Sequence, residues 1–295
     1  MRIERYNLKA TLDRSASADI PVCLGFNGGA WRGIFFIGIV EHLQKLYPED
    51  ELRKWAFCGT SAGTCYALAL AMGFPSESLK QLLCVAAAKA SKKRLGVAFN
   101  VNTIIGQIIV DMMATMPEDT LMDRLRGRFA ICFTSFHCGC VPHPYLAYDF
   151  ESKAQLLNAV LGTINIPFYS SVSGTIFGRS IGRYRAVDGG LTPDGCVPLL
   201  PSRCNVYSMC FGTAEERGIS FKKNPLPEGV ELDIAEPGVL NSECFKNPES
   251  DQAVRATAEK GRVLAAEFFA SPKWASRYNA SQRTQPAIAV KEKRV

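Results

Sequence analysis

Residues 59–63 read Gly-Thr-Ser-Ala-Gly and join two segments of different character. A short apolar run, Trp55 to Cys58, precedes them, and an alanine-rich segment, Thr64 to Met72, follows them. This pattern predicts a strand, a sharp turn and a helix, because the two glycines let the backbone fold tightly between the two elements. Such a turn exposes a serine hydroxyl at the start of a helix, where free N–H groups and the helix dipole favour a developing anion. Ser61 is therefore the first candidate nucleophile.

The rest of the chain alternates apolar runs of strand length with longer runs of helical period. Ile20 to Phe26 predicts a buried strand that ends in a glycine-rich loop, and Ile34 to Leu46 predicts a helix that Pro48 stops. Further helices are predicted at 76–90, 102–116 and 152–162, with a short helix that begins near residue 117. Further strands are predicted at 129–134, 145–150 and 205–210, and around residue 187. This alternation predicts an α/β sandwich with a mainly parallel central sheet flanked by helices.

Composition and length limit the organisation and the location. With 295 residues, 47% of them hydrophobic, the chain can bury a large core. We expect an N-terminal arm over 1–19, a single domain over 20–270 and a flexible basic tail over 271–295. The first seven residues are too charged for a secretory signal, and no apolar run reaches the roughly 20 residues of a membrane-spanning helix. A cytoplasmic protein is therefore expected.

The net charge of +6 is modest. No basic run is interleaved with aromatic residues as in a nucleic-acid groove, so nucleic acid is not an expected partner. The clusters Lys92-Lys93-Arg94 and Lys291-Glu292-Lys293-Arg294 are most often solvated surfaces. The alternative is adhesion to an anionic membrane, to which each basic residue would contribute about 1 kcal/mol. Oligomeric state leaves no signal in the sequence.

Eleven cysteines are scattered through apolar segments of a chain without a secretory signal, so they are predicted to be reduced core residues. One segment, His137-Cys138-Gly139-Cys140-Val141-Pro142-His143, places four soft ligands in a predicted loop. Its spacing is not a standard zinc pattern and no second Cys-x-x-Cys follows, which favours an ordinary hairpin. We expect no metal and no cofactor, and zinc at this loop is the alternative.

A serine hydroxyl becomes a good nucleophile only when a base takes its proton. The chain has three histidines, His42, His137 and His143. A Ser-acid-His order would need an acid between Ser61 and His137, for which the candidates are Asp111, Glu118, Asp119 and Asp123. No histidine follows residue 143, which weakens this triad hypothesis.

Asp188 is the other candidate base, at a predicted strand end and followed by two glycines that free the backbone to turn. An aspartate with an ordinary pKa of about 4 is a weak base, so it would depend on tight positioning and a strong oxyanion hole. The N–H groups of Gly28, Gly29 and Ala30 could supply that hole, with Arg32 orienting the loop.

Three segments, taken in content and order, resemble the patatin-like phospholipase family: Gly28-Gly29-Ala30-Trp31-Arg32-Gly33, Gly59-Thr60-Ser61-Ala62-Gly63 and Asp188-Gly189-Gly190. Segments at 116–119, 129–134, 150–153 and 166–170 look like the adiponutrin and adipose triglyceride lipase branch, so the resemblance spans roughly residues 20–212. It implies a patatin-like three-layer sandwich and a calcium-independent serine esterase or lipase. The implied substrates are acyl esters of phospholipids or acylglycerols, at the periphery of a membrane or lipid droplet.

By position, the resemblance makes Ser61 the nucleophile, Asp188 its partner and residues 28–30 the oxyanion loop. The supporting residues are Arg32, Gly33, Gly59, Gly63 and Gly189. The chain departs from the family at Ala30, where the family has a third glycine, and at Leu191 to Pro198, which is longer than the family's stretch. These departures motivate an alternative, a catalytically weak lipid-binding or regulatory protein that keeps the fold.

Near the C-terminus, small and apolar residues recur at helical spacing from Val254 to Phe268, which predicts an amphipathic helix. The favoured interpretation is packing against the domain. The alternative is an interfacial anchor in which Phe268, Phe269 and Trp274 enter lipid. Past Ser276 the chain is polar and basic, and a loose segment is expected.

Overall fold

The computed structural model describes residues 1–6, 20–96, 98–136, 141–170, 178–192, 204–207, 234–235 and 246–283. Within these residues one sheet contains nine strands. The strands are β1 (Arg2–Arg5), β2 (Cys23–Phe26), β3 (Ala56–Thr60), β4 (Phe129–Ser135), β5 (His143–Tyr148), β6 (Arg179–Ile181), β7 (Tyr184–Val187), β8 (Cys204–Tyr207) and β9 (Ile234–Ala235).

The described helices lie between and after these strands. They are α1 (Phe35–Leu46), α2 (Glu49–Leu52), α3 (Gly63–Met72), α4 (Ser76–Ser91), α5 (Val101–Ala114), α6 (Glu118–Leu125), α7 (Lys153–Thr163), α8 (Asp251–Phe269) and α9 (Pro272–Arg283). Two 3-10 turns, Ala30–Ile34 and Gly189–Leu191, follow β2 and β7. The predicted elements are thus present wherever the structure describes them, with ends shifted by a few residues.

The strand order is β1-β5-β4-β3-β2-β8-β9, and β7 joins β4 while pairing with β6. The run from β4 through β3, β2 and β8 to β9 is parallel, and the pairs β1–β5, β4–β5, β4–β7 and β6–β7 are antiparallel. This architecture confirms the predicted α/β fold with a mainly parallel sheet at its centre. The carboxyl ends of β2, β3 and β4 meet at one edge, because Phe26 pairs with Gly59 and Thr60 with Cys132.

Helix α7 begins after a capping serine, at the start of the helix predicted over 152–162. The Ser152 hydroxyl accepts a hydrogen bond from the Gln155 N–H at 3.2 Å, as a capping residue does. The Gln155 side chain accepts from the N–H of Glu151 rather than of Ser152, so the reciprocal bond is shifted by one residue. The cap fixes the start of the helix whose last turn reaches the candidate site.

Both ends of the described chain differ from the sequence-based expectation. Arg2–Arg5, expected in an N-terminal arm, pairs with β5 as an edge strand. Residues 277–283, expected to be loose, continue helix α9. Trp274 explains the second difference: it is 3% exposed, its indole N–H donates to the Tyr47 hydroxyl at 2.7 Å, and its ring lies 5.9 Å from that of Trp55.

Helix α8 packs along α1, so the favoured interpretation of the C-terminal helix is confirmed. Phe268, Phe269 and Trp274 are 9%, 6% and 3% exposed, and their rings pack on one another. The interfacial-anchor alternative is wrong for these three side chains, because they are already buried in the protein.

Two glycines allow α1 and α8 to touch through their main chains. A Cβ at Gly38 on α1 would collide with the carbonyl oxygen of Ala258, and a Cβ at Gly261 on α8 would collide with that of Phe35. Main-chain atoms cannot move aside as a flexible side chain can. The close contact therefore needs hydrogen at both positions.

We expect Gly38→Ala to lower the free energy of unfolding by about 2 kcal/mol or more, because the new methyl group overpacks the helix contact. This sign is opposite to the usual effect of Gly→Ala in a helix, which stabilises by up to about 1 kcal/mol. The matched control is Gly106→Ala on α5, where the nearest atom to a new Cβ is the flexible end of Leu161, 3.3 Å away. Denaturation midpoints of both variants measure the difference, and a Gly38→Ala protein as stable as Gly106→Ala would contradict the contact.

Five cysteines in the described residues are buried and free, namely Cys23, Cys58, Cys65, Cys84 and Cys132. Burial raises the pKa of Cys58 well above its ordinary value and that of Cys65 to about 12. Cys58 and Cys65 are therefore protonated, and the five described cysteines are free thiols in the core, as predicted. Within the described part of the chain, every helix is too short or too polar to cross a bilayer.

Candidate active site

The turn between β3 and α3 holds Ser61 in a strained conformation. Ser61 has a φ of +50°, in the left-handed region that non-glycine residues rarely adopt. A Cβ at Gly59 would strike the main chain of Thr64, and a Cβ at Gly63 would strike the carbonyl oxygens that end β2 and follow it. Both glycines are thus required by close main-chain approach, which is the physical reason for the spacing seen in the sequence.

Asp188 reaches Ser61 because β7 joins the end of β4. Val187 pairs with Thr134, and the Asp188 N–H donates to the Asn165 carbonyl at 2.9 Å. The Ser61 hydroxyl then donates to Asp188 Oδ2 at 2.5 Å, across 127 positions of sequence. Ser61 is 8% exposed and Asp188 6% exposed, so the pair is shielded from bulk solvent.

Burial dominates the electrostatics of Asp188. Loss of solvation raises the pKa of its carboxyl group from 3.8 to about 6, while hydrogen bonds from the Ser61 hydroxyl and the Gly190 N–H oppose the shift. The Gly190 N–H donates to Oδ1 at 2.8 Å, which leaves Oδ2 facing Ser61. At neutral pH the carboxylate is charged, and it is a stronger base than a solvated aspartate.

Thr163, which no sequence pattern singled out, holds the main chain of Ser61. The Ser61 N–H donates to Thr163 Oγ1 at 2.9 Å, and that hydroxyl donates to the Cys132 carbonyl at 2.5 Å. Thr163 is fully buried in the last turn of α7 and so ties the turn to β4. The only signal in the sequence was a hydroxyl at the end of an otherwise apolar helical face, which predicts no particular partner.

The glycine-rich loop after β2 runs directly against Ser61. A Cβ at Gly28 would lie 3.0 Å from Ser61 Cβ, and Ala30 lines the same cavity as Ser61. The Gly28 N–H donates to Asn27 Oδ1 at 2.7 Å, so one of the three predicted oxyanion donors has a protein acceptor. Within the part of the chain that the structure describes, the N–H groups of Gly29 and Ala30 have none.

Ala30 occupies the position where the resemblance implies glycine. Its φ is +45°, so the alanine adopts the left-handed conformation that a glycine there would reach without strain. The departure from the family pattern therefore adds strain to the loop while the loop keeps its position beside Ser61.

Gly33 and Gly189, the other two supporting glycines, lie where neighbouring atoms leave no room for a side chain. A Cβ at Gly33 would lie 3.1 Å from the Tyr66 ring and 3.3 Å from Ala62 Cβ, so the 3-10 turn packs tightly on α3. A Cβ at Gly189 would lie 2.6 Å from Thr60 Cγ2 and 2.8 Å from the Cys132 oxygen. The half-buried Arg32 lies in the same turn as Gly33.

The described histidines lie elsewhere. His42 stacks on Phe269 with ring centroids 5.8 Å apart, and His143 Nδ1 shares a hydrogen bond of 2.9 Å with the Arg5 guanidinium. His137, like all of 137–140, lies outside the described residues, and so does most of the loop considered for zinc. The described residues contain no group of three side chains that could hold a metal ion. The hydroxyl of Ser61 thus meets a carboxylate and not the imidazole of His42 or His143.

An apolar cavity of about 70 Å³ opens at Ser61. Its walls come from α3, α4, α5 and the segment after α7, and they include Leu83, Val101, Ile108 and Ile164. Trp31 also lines it, whereas Phe35 and Phe36 are fully buried in the core. A cavity with this apolar lining suits an aliphatic chain more than a polar ligand.

Comparison with known proteins gives relatives of low identity. Human 1-acylglycerol-3-phosphate O-acyltransferase PNPLA3 is 25% identical over 186 residues, which is 62% of this chain and 36% of the relative. Human omega-hydroxyceramide transacylase is 24% identical over 174 residues, covering 59% and 31%, and the mouse protein of the same name is 24% identical over 175 residues, covering 59% and 28%. The chain thus spans about a third of the length of these curated relatives.

A family model described as patatin-like phospholipase matches residues 24–199. That segment includes the glycine-rich loop, the Ser61 turn and Asp188, together with the strands that position them. It covers more than half of the 295 residues. The resemblance drawn from the sequence is confirmed: this chain belongs to the patatin-like phospholipase family.

Proposed function

We propose that this protein is a lipid acyl hydrolase in which Ser61 is the nucleophile and Asp188 the base. The observation that carries the proposal is the 2.5 Å hydrogen bond from the Ser61 hydroxyl to Asp188 Oδ2, formed by two buried side chains at an apolar cavity. A hydroxyl already bonded to a carboxylate has its proton directed at the acceptor, so its oxygen lone pairs are available to an ester carbonyl.

The proposed reaction has two halves. Ser61 Oγ bonds to the carbonyl carbon as its proton passes to Asp188, and Asp188 then gives that proton to the leaving alcohol as the ester C–O bond breaks. Water next gives a proton to Asp188 as it attacks the acyl-enzyme, and Ser61 recovers the proton when the fatty acid leaves. The base is thus regenerated in each cycle.

The negative charge that develops on the carbonyl oxygen needs main-chain donors. We propose Gly29 and Ala30 as the immediate donors, because their N–H groups begin the 3-10 turn that leads into α1. Gly28 can contribute only when its N–H exchanges Asn27 Oδ1 for the oxyanion. Two donors close to the charge would contribute several kcal/mol to lowering the barrier, since each is worth about 3 kcal/mol in comparable sites.

The substrate class follows from family membership together with the cavity. We propose fatty-acyl esters of phospholipids or acylglycerols, cleaved without calcium, by a cytoplasmic protein at the surface of a membrane or lipid droplet. The apolar walls bind the acyl chain, and Ser61 lies where the ester group would enter.

Transfer of the acyl group to a lipid alcohol is the second candidate. The observation that favours it is that the relatives are named as an acyltransferase and as transacylases. Both reactions share the acyl-enzyme and differ only in the acceptor. Product lipids from a mixed phospholipid and acylglycerol extract, incubated with the protein and with Ser61→Ala, separate them: free fatty acid indicates hydrolysis, and new esters indicate transfer.

We expect Ser61→Ala and Asp188→Asn each to lower turnover of a soluble short-chain ester by about a thousandfold or more, because each removes half of the proton-transfer pair. A fluorophosphonate probe should label the unaltered protein at Ser61 and should not label Ser61→Ala. The control is Ser91→Ala, which alters an exposed hydroxyl that bonds only the Ala88 carbonyl of its own helix among the described residues.

Substantial turnover in folded Ser61→Ala would refute the nucleophile. Lipid binding without fluorophosphonate labelling would instead support the lipid-binding alternative. Turnover that survives Asp188→Asn but is lost in His137→Ala or His143→Ala would support a Ser-His-Asp triad.

The pH dependence should follow Asp188. Because its pKa is raised to about 6 and only the charged form accepts a proton, kcat/KM should rise with one deprotonation near pH 6 and level off above it. Free histidines titrate in the same range, so the profile is also measured in His137→Ala and His143→Ala, where the same rise is expected. A rise centred near pH 4, or one that vanishes with either histidine, would argue against Asp188 as the base.

The buried carboxylate should also lower stability at neutral pH. A pKa raised on folding means that the folded state holds its proton more tightly, so the stability from Asp188 is complete below about pH 4 and is lost as pH rises through 6. The shift corresponds to a cost on the order of 3 kcal/mol at neutral pH. Asp188→Asn should therefore raise the free energy of unfolding at pH 7, and the gain should shrink towards pH 4.

The control for this measurement is Asp123→Asn, whose side chain is 69% exposed in a surface ion pair with Arg126. Such a pair contributes about 1 kcal/mol or less. If Asp188→Asn shows no more stabilisation at pH 7 than at pH 4, desolvation does not control this carboxyl group.

A further inference from the structure

Two phenylalanines lie exposed beside the cavity that contains Ser61. Phe99 is 39% exposed and Phe168 is 71% exposed. The Phe99 N–H donates to the Tyr169 carbonyl at 2.6 Å, so the two loops that carry these side chains lie against each other. The result is a local apolar surface on a protein whose other large aromatic side chains are mostly buried.

Both residues also have strained backbones. Phe99 has a φ of +62° and Phe168 a φ of +63°, in the left-handed region where bulky side chains are outliers. Strain of this kind persists where the surrounding structure imposes it, and it is concentrated at functional segments. Here the strained backbone also exposes two large apolar side chains to solvent. Both the strain and the exposure are unfavourable, and an apolar partner that covered the side chains would offset the second.

The exposed surface is continuous with the cavity wall. Helix α5 begins two residues after Phe99, and its Val101 and Ile105 line the cavity. Ile166 and Tyr169, on either side of Phe168, line it as well. An aliphatic chain that left a bilayer at this surface would reach Ser61 along apolar side chains.

Basic residues border the same surface. Lys92, Lys93 and Arg94 are exposed, and Leu95, which follows them, is 60% exposed. Hydrogen bonds from the Gly96 N–H to the Lys93 carbonyl at 3.0 Å and from the Ala98 N–H to the Leu95 carbonyl at 3.1 Å hold this turn next to Phe99. The sequence alone favoured a solvated surface for the basic cluster, because it did not show the adjacent apolar side chains.

Another basic residue lies close by. The Asn247 side chain lies against Gly96, and its neighbour Lys246 is exposed. Glu249 and Asp251 are the exposed acidic residues that follow Asn247. Lys92, Lys93, Arg94 and Lys246 thus outnumber these two acids, which favours an anionic partner.

We propose that residues 92–95 with Phe99 and Phe168, the docking rim, bind the surface of a bilayer that contains anionic phospholipid. Leu95, Phe99 and Phe168 enter the interface while the basic side chains contact lipid phosphates. A bilayer fits better than a protein partner, because the rim borders an apolar cavity and carries cations around an apolar centre. The advantage to catalysis rests on the proposed function, but binding itself does not.

The first experiment measures co-sedimentation of Ser61→Ala protein, as the full chain, with vesicles of phosphatidylcholine alone or with added phosphatidylserine. This background prevents lipid hydrolysis, so the result is independent of whether Ser61 is catalytic. We expect Ser61→Ala protein to bind the anionic vesicles. Adding Phe99→Ser and Phe168→Ser to this protein should weaken the binding at least about tenfold. The added triple change Lys92→Gln, Lys93→Gln and Arg94→Gln should weaken it roughly fivefold per charge and reduce its salt dependence.

The controls alter apolar and basic side chains elsewhere on the surface. Val263→Ser alters an apolar residue of α8 that is 42% exposed. The triple change Lys45→Gln, Lys54→Gln and Lys260→Gln removes the same net charge at other positions. The proposal is overturned if Ser61→Ala protein does not bind anionic vesicles, or if the control variants lose as much binding as the rim variants.

A second measurement keeps the proposal testable should the serine variants fold poorly. Phe168→Trp, made in Ser61→Ala, keeps an aromatic side chain at a position that is 71% exposed, whereas the native Trp31, Trp55 and Trp274 are 8%, 0% and 3% exposed. Anionic vesicles should shift its emission to shorter wavelength, and brominated phosphatidylcholine in them should quench it, whereas Val263→Trp should show neither effect. Unchanged Phe168→Trp emission at saturating lipid would overturn insertion of the rim.

Discussion

The hydrogen bond between Ser61 and Asp188 depends on how strand ends meet in one sheet. Parallel pairing of β2, β3 and β4 brings their carboxyl ends to the same edge, and β7 joins β4 there, so residues far apart in sequence become neighbours. Gly59 and Gly189 make the meeting possible, since a side chain at either would strike the next element. The sheet register, more than any local preference of Ser61 or Asp188, therefore determines the distance between hydroxyl and carboxylate.

The same site carries several unfavourable features that the core must offset. Ser61 and Ala30 have left-handed backbones, and Asp188 is a charged group removed from water. β2, β3 and β4 are buried along their whole length, so the strand ends cannot relax towards easier geometries. Strain and desolvation of this kind are typical of sites where function and stability compete. Thr163 adds a restraint, because its hydroxyl bonds both the Ser61 N–H and the Cys132 carbonyl of β4.

The parts of this structure that follow from local physics could be predicted from the sequence. The Ser61 turn, the glycine loop and Asp188 all involve glycines whose spacing reports close main-chain approach. What could not be predicted depends on partners distant in sequence: the bond from Ser61 to Thr163, and the pairing of β1 with β5. The packing of Trp274 in an aromatic cluster is a further example, because it stabilises α9 as a helix although the composition of that segment is polar.

In the proposed reaction, the choice of the molecule that accepts the acyl group connects the cavity to the docking rim. Hydrolysis needs water at Ser61, yet the walls of the cavity are apolar and the Ser61–Asp188 pair is shielded from solvent. A cavity mouth seated on a bilayer meets lipid alcohols at high local concentration, whereas an open mouth meets water. The balance between hydrolysis and transfer would then be controlled by how the rim sits on the membrane, without any change in Ser61 or Asp188. Two proteins with the same catalytic pair could in this way differ in reaction through surface residues such as Phe99 and Phe168 alone.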